Sequence, residues 1–223
     1  MEKIVIIPAR GNSKGIPRKN LYPVAGNPLL YYTIKASKDS GQFDKIIISS
    51  EDEEILAYAK EMGVIPDRRN DELSTDNIHA VHVILDYVKV NNISPDTCVA
   101  MLLPTSPLRT SQDIIRAFEI FEKGNADSVL SVYESSKHIM NFRYIDEKGY
   151  LESIMEGDRN VQRQDMKKLY TVNGSIYISS AGNLLDSGSY HLGKVQPYIM
   201  PKSRSVDINS IEEIQEVERI IKS

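Results

Sequence analysis

Residues 8–20 read PARGNSKGIPRKN and carry four cations, Arg10, Lys14, Arg18 and Lys19, with no acid among them. Gly11, Ser13 and Gly15 are interspersed, so the backbone there can approach a ligand closely. Small residues for close approach and fixed cations for charge together make a phosphate cradle, which Arg10, Ser13, Lys14 and Lys19 can supply. The spacing matches neither the Gly-x-x-x-x-Gly-Lys-Ser/Thr loop nor the Gly-x-Gly-x-x-Gly dinucleotide turn. Further on, Pro104-Thr105-Ser106-Pro107 puts two hydroxyls in one turn. His79 and His82 are three apart, a spacing that is more often structural than metal-binding, and Cys98 sits in an apolar run as a small hydrophobe.

The chain that carries this loop is acidic, with 27 Lys and Arg against 31 Asp and Glu. Lys3 to Lys38 holds seven cations and no acid, so the net charge of −4 leaves −11 elsewhere (−4 less 7). A confined basic site on an acidic body suits a small polyanion and argues against nucleic acid as a partner. At 223 residues and 41% hydrophobic content the chain can bury one sizeable core. No run approaches the roughly 18 to 20 apolar residues of a membrane span, and MEKIVIIPAR is too short in its apolar part for a secretory leader. With one cysteine, the expectation is a cytoplasmic protein that does not engage a membrane.

The elements that must position the loop follow from periodicity. KIVII (3–7), KIIISS (45–50), TCVAMLL (97–103) and DSVLSV (127–132) are short, apolar and β-branched, without polar alternation. Helical patterns lie between them, over NPLLYYTIKASKDS, NIHAVHVILDYVKVNN and QDIIRAFEIFEKG. Ser50 with Glu53, and Ser210 with Glu213, have capping-box spacing, and Thr110 or Ser111 caps the helix after residue 110. This alternation predicts an α/β, Rossmann-like three-layer fold with a mainly parallel sheet. Ligands of such sheets bind at the carboxyl edge, where the basic loop would lie. Near residue 134 the rhythm breaks, and DEKG (146–149) has hairpin character. The chain is therefore read as a single domain, 1–223, with 135–170 as a protruding antiparallel insertion.

IIPARGNSKGIPRKN resembles the signature of the acylneuraminate (nonulosonate) cytidylyltransferases. Their Ala-Arg, Ser-Lys and Lys-Asn positions are met by Ala9, Arg10, Ser13, Lys14, Lys19 and Asn20. RRNDELSTDN resembles the family's nucleoside segment and LLPTSPLR its sugar-side block. QRQD (162–165) resembles its Arg-Gln segment and SVDINS its metal segment. The resemblance implies a nucleotide-diphospho-sugar transferase fold and transfer of CMP from CTP to a 2-keto acid sugar, with Mg²⁺ as cofactor. It also implies a homodimer formed through the insertion. Arg10, Ser13, Lys14, Asn20 and Arg69 would bind nucleotide, Leu103, Thr105 and Ser106 would face the sugar, and Lys19 and Arg163 would be catalytic. Asp207 and Asn209 would hold metal, projecting to one face of a strand. The family's usual motif there is Asp-Ile-Asp, so Asn209 removes one negative charge. Leu103 stands where N-acetylneuraminate enzymes commonly have Gln, which points to a sugar less hydroxylated at that contact. Alternatives are a CMP-KDO synthetase-like or other sugar nucleotidyltransferase, and a nucleotide-binding domain without turnover.

Overall fold

The computed structural model describes residues 1–75, 77–137, 139–154 and 167–222. β1 (Lys3–Pro8) leads through the basic loop to a small hairpin, β2 (Pro23–Val24) and β3 (Asn27–Pro28), and then α1 (Leu29–Ser40). Next come β4 (Lys45–Ser50), α2 (Glu53–Glu61), β5 (Ile65–Arg68), α3 (Ala80–Val90), β6 (Cys98–Met101), α4 (Ser111–Glu122) and β7 (Ser128–Glu134). A second hairpin, β8 (Arg143–Ile145) and β9 (Leu151–Ser153), precedes β10 (Tyr170–Ser180), α5 (Ala181–Ser187), β11 (Val195–Ile199) and α6 (Ile211–Lys222).

The main sheet has the order β11-β7-β10-β6-β1-β4-β5. β1 pairs parallel with β4 and β6, β4 with β5, and β7 with β11. β10 alone runs against its neighbours, β6 and β7. Side chains alternate faces along β1, and the two faces feed separate cores. Val5 and Ile7 pack with Ile34 of α1, Ile55 of α2 and Phe118 of α4. Ile4 and Ile6 pack with Ile84 of α3 and Leu184 of α5 on the other side. Burial of each such isoleucine is worth about 2 kcal/mol, so the strand's register is strongly held. The expected mainly parallel, helix-covered sheet is what the chain forms.

A third cluster matters most for function. Ile16 of the basic loop and Leu108 pack with Ile208, Ile214 and Val217, which fastens the loop to the start of α6. No helix among the described residues is long and apolar enough to cross a membrane.

Two local expectations are corrected, and one strand is added. The cap of α2 is Asp52, not Ser50: its carboxylate accepts the N–H groups of Glu54 and Ile55, while the Ser50 hydroxyl accepts that of Asp52. A carboxylate is the stronger acceptor at a helix's positive end. β5 adds an edge strand that periodicity did not reveal, because Ile65-Pro66-Asp67-Arg68 has no apolar run. Asp207 and Asn209 lie in irregular chain, not a strand. Ile208 is buried there, and its N–H donates to the Thr105 carbonyl at 2.8 Å instead of to a sheet neighbour. The caps at Thr110 and Ser210 form as expected.

The 146–149 turn closes the β8–β9 hairpin. Asp146 accepts N–H bonds from Lys148 and Tyr150 at 2.9 and 2.8 Å, and Gly149 takes φ +86°. Tyr144, Ile145, Tyr150 and Leu151 of this hairpin are exposed. Arg163 and the rest of QRQD lie outside the described residues.

Candidate functional site

β1 ends at the carboxyl edge of the sheet, and its continuation is pinned residue by residue. Ala9 N–H donates to the Ser49 carbonyl at 3.0 Å and Gly11 N–H to Glu51 Oε1 at 2.7 Å. Asn20, buried, donates its amide to the Arg10 carbonyl at 2.8 Å and so closes the loop on itself. Arg18 has a left-handed φ of 52° and pairs with Asp52 and Glu54. Lys19 reaches the other way, its Nζ donating to the Ile208 carbonyl at 2.8 Å. Gly15 is required here, since a Cβ at that position would lie 2.6 Å from the Asn209 carbonyl oxygen. The cationic loop and the 207–209 segment are therefore in direct contact.

Arg10, Ser13, Lys19, Asn20, Arg69, Leu103 and Thr105 line one cleft of about 220 Å³. Lys14 lies beside it, in an adjoining recess shared by Arg10, Ser13, Ser74 and Thr75. Leu103 also borders a second cleft of about 560 Å³, with Thr171, Tyr177, Lys202, Asp207, Asn209 and Glu213. It borders a third, largely apolar recess as well, with Ala80, Met101, Tyr190, His79 and His191. The residues expected on the nucleotide side and those expected around the metal thus meet across Leu103 and Lys19.

Electrostatics distinguish the roles. Burial lowers the pKa of Lys19, with Arg10 acting in the same direction, while Asp207 and Glu213 oppose it. Arg69 is 6% exposed, and burial likewise lowers its pKa against the pull of Glu51. Its guanidinium is held by Glu51 at 2.9 Å, the Ser74 hydroxyl at 2.9 Å and the Ser49 carbonyl at 3.2 Å. Arg69 accordingly braces the cleft wall that it lines. Burial, with Asp207 nearby, pushes Tyr177 up to about 12, so its phenol stays protonated and available as a donor.

The sugar-side expectations divide. Leu103 and Thr105 line the first cleft, and Leu103 also lines the second. Ser106 is buried, and its hydroxyl donates to the Asn173 carbonyl at 3.3 Å, so it braces the turn from below. Arg109, the last residue of the LLPTSPLR block, and Asn173, which local sequence did not single out, support this wall. Arg109, buried and pushed down to about 9 by desolvation, donates to the Ser175 carbonyl at 2.6 Å and the Thr33 hydroxyl at 2.6 Å. Asn173 accepts from the Ser131 hydroxyl at 2.6 Å and donates to that of Ser205 at 2.9 Å. It sits in a bulge of β10 next to Gly174, whose φ is +71°. Only the Asn-Gly pair, a turn signal inside an otherwise apolar strand, hinted at it.

For a divalent cation the donor set is small. Asp207 is exposed at the rim, and Asn209 donates its amide N–H to Asp207 Oδ2 at 3.1 Å. Among the described residues there is no group of three or more His, Cys, Asp or Glu that could hold a metal. One carboxylate oriented by a neighbouring amide fits Mg²⁺, which takes one or two protein carboxylates and fills its shell with phosphate oxygens and water. A cation that needs an all-protein cage would not fit.

Known proteins resemble this chain in sequence and in fold. A family model described as cytidylyltransferase matches residues 4–207. The N-acylneuraminate cytidylyltransferase of Streptococcus agalactiae serotype III is 35% identical over 212 residues, covering 94% of this chain and 51% of that protein. The chain thus spans about half the length of that relative. The CMP-N,N'-diacetyllegionaminic acid synthase of Legionella pneumophila is 32% identical over 216 residues, covering 94% of this chain and 92% of that one. A solved CMP:2-keto-3-deoxy-manno-octonic acid synthetase complexed with CTP shares the fold, with a TM-score of 0.73 at 11% identity over 100% of this chain and 99% of that one. With the family model spanning the sheet from β1 to Asp207, and a full-length relative above 30% identity, the chain belongs to the cytidylyltransferase family.

Proposed function

We propose that the protein is an Mg²⁺-dependent cytidylyltransferase that joins CMP to a nonulosonic, sialic acid-like sugar. The supporting observation is the Lys19 contact with Ile208, which sets a cationic phosphate cradle against Asp207 at the junction of two clefts. The anomeric hydroxyl oxygen of the 2-keto acid sugar attacks the α-phosphorus of CTP. The bond from that phosphorus to the bridging oxygen breaks, pyrophosphate leaves, and the hydroxyl proton passes to solvent. Both reactants are anions, so adjacent positive charge and positioning account for most of the acceleration. Arg10, Ser13 and Lys14 grip the triphosphate, Asn20 holds the loop in shape, and Lys19 faces the charge that develops at the α-phosphate. Arg69 braces the nucleoside wall. Leu103 and Thr105 face the sugar, and Arg163 is assigned to catalysis by resemblance alone. Asp207, oriented by Asn209, would hold Mg²⁺, which would supply positive charge for the phosphates and lower the pKa of the attacking hydroxyl.

The relatives' names point to nonulosonates as the sugar class, and Leu103 between the clefts favours a member with fewer hydroxyls at that contact. The active form in this reading is a cytoplasmic homodimer joined through the exposed hairpin. The deciding experiment is pyrophosphate release from CTP with and without Mg²⁺, against N-acetylneuraminate, a legionaminate-type sugar and KDO, with Lys19→Ala alongside. Release with a nonulosonate and Mg²⁺ is expected. Release with KDO alone would transfer the assignment to the KDO class. CTP binding without release from any sugar would favour a nucleotide-binding domain, the reading to which Asn209 lends some weight.

A further inference from the structure

A carboxylate beneath a phosphate-binding loop is out of place on charge grounds, because it repels the ligand the loop attracts. Glu51 is such a group. Its side chain is 17% exposed, at the end of β4, and its two oxygens hold opposite walls of the nucleotide cleft. Oε1 accepts the Gly11 N–H at 2.7 Å, which fixes the loop directly after Arg10. Oε2 accepts from Arg69 at 2.9 Å and from the Ser74 hydroxyl at 2.7 Å, and Arg69 itself donates to Ser74 at 2.9 Å. Burial alone would lift the Glu51 pKa; the bonds from Ser74 and the backbone, with the charge of Arg69, outweigh it and hold the carboxyl below its usual range. The group is thus ionised, and its negative charge is answered by Arg69. The approach at Gly11 is tight on the neighbouring residue too, since a Cβ there would fall 2.5 Å from Asp52 Oδ2.

We propose that Glu51 is a positioning residue that sets the separation of the two cleft walls, Arg10–Ser13 and Arg69–Thr75, and thereby the affinity for the nucleoside triphosphate. Glu51 is not among the residues that line the cleft. It keeps Arg69 as part of the wall and leaves the phosphates to the loop. The proposal rests on the reading that this cleft takes CTP.

The test is Glu51→Gln, which keeps the volume and one acceptor for Gly11 but places an amide N–H₂ group against donors at Arg69 and Ser74. Loss of a charge-assisted bond at a buried site leads to an expected rise of about tenfold or more in both the KM and the calorimetric Kd for CTP. The KM for the sugar and kcat should stay within about threefold. A merely structural carboxylate would lower thermal stability and damage both substrates alike. If Glu51→Gln does not fold, Ser74→Ala removes one bond to the same carboxylate and should raise the CTP Kd about threefold with the same selectivity. CTP affinity unchanged in the folded variant, or equal losses for both substrates, overturns the proposal. Wild-type protein is titrated with CTP first: no binding there would sink the assignment of the cleft itself, whereas wild-type binding with an unaffected Glu51→Gln sinks only the role of Glu51.

Discussion

Where Arg10, Lys19, Asn20 and Arg69 line the cleft, each side chain arrives on a loop that follows a parallel strand, and hydrogen bonds tie each loop to the next. Where Thr171, Tyr177 and Asp207 line the second cleft, the chain comes from an antiparallel strand with a bulge and from irregular chain before α6. The first wall is tied together by hydrogen bonds within one chain. Apart from both walls, the β8–β9 hairpin leaves Tyr150 67% and Leu151 71% exposed, and large exposed apolar side chains grouped on one hairpin mark a contact surface. In the proposed reading the first wall is the nucleotide half, the second is the sugar half, and the hairpin is where two copies of the chain would join.

The largest test of this contrast is Lys19→Ala. If the nucleotide half carries the transition-state charge, kcat should fall about 100- to 1000-fold, as when one preorganised donor to a developing charge is removed. Pyrophosphate release at saturating CTP measures it. A loss below about tenfold would move the centre of the chemistry to the Asp207 side and reverse the ranking of the two walls.

Tyr150→Ser with Leu151→Ser comes next. Both side chains are exposed in one copy, so the monomer should keep its thermal stability. Dimer dissociation, followed by sedimentation, should increase by about 100-fold if these aromatic and aliphatic groups are anchors. A double variant that stays fully dimeric would mean that the hairpin is not the proposed dimer surface.

The same contrast explains what the sequence disclosed. The place of Lys19 and Asn20 at the cleft was legible because the basic loop is local: cations, glycines and the preceding strand all fall within twenty residues. The sheet was legible because a strand buried on both faces reads as an unbroken apolar run. The direction of β10 was not, since alternation records which face a side chain takes and not which way the chain runs. Asp207 and Asn209 were matched by motif, yet their strand was misread. Ile208 satisfies its N–H on Thr105, roughly half a chain away, and no local pattern encodes that. Glu51 was hidden for the same reason: its partners Gly11, Arg69 and Ser74 lie 40, 18 and 23 residues off, in a stretch of acids that also caps α2.

A smaller effect separates the walls from inside. Gly174 has φ +71°, and a Cβ there would lie 3.3 Å from Leu103 Cδ1. Gly174→Ala therefore combines about 1 to 2 kcal/mol of backbone strain with a push on the residue that borders all three clefts. The KM for the sugar should rise about five- to tenfold while that for CTP stays within twofold. A rise in the CTP value alone would show that Leu103 belongs to the nucleotide wall.

The subtlest effect is in pH. Burial lowers the Lys19 pKa below its ordinary 10.5, and the neighbouring Arg10 adds to the shift. The cation is needed for phosphate, and it is lost as pH rises through this depressed value, so kcat/KM for CTP, which reports the free enzyme, should begin to fall below the ordinary lysine range. Asp207 pulls in the opposite direction, so Asp207→Asn should move this alkaline limb to still lower pH. Lys19→Arg should remove the limb, because a guanidinium keeps its proton throughout that range. A limb that stays in place in both variants would assign the titration to another group and would break the link between Lys19 and Asp207 on which the joining of the two walls depends.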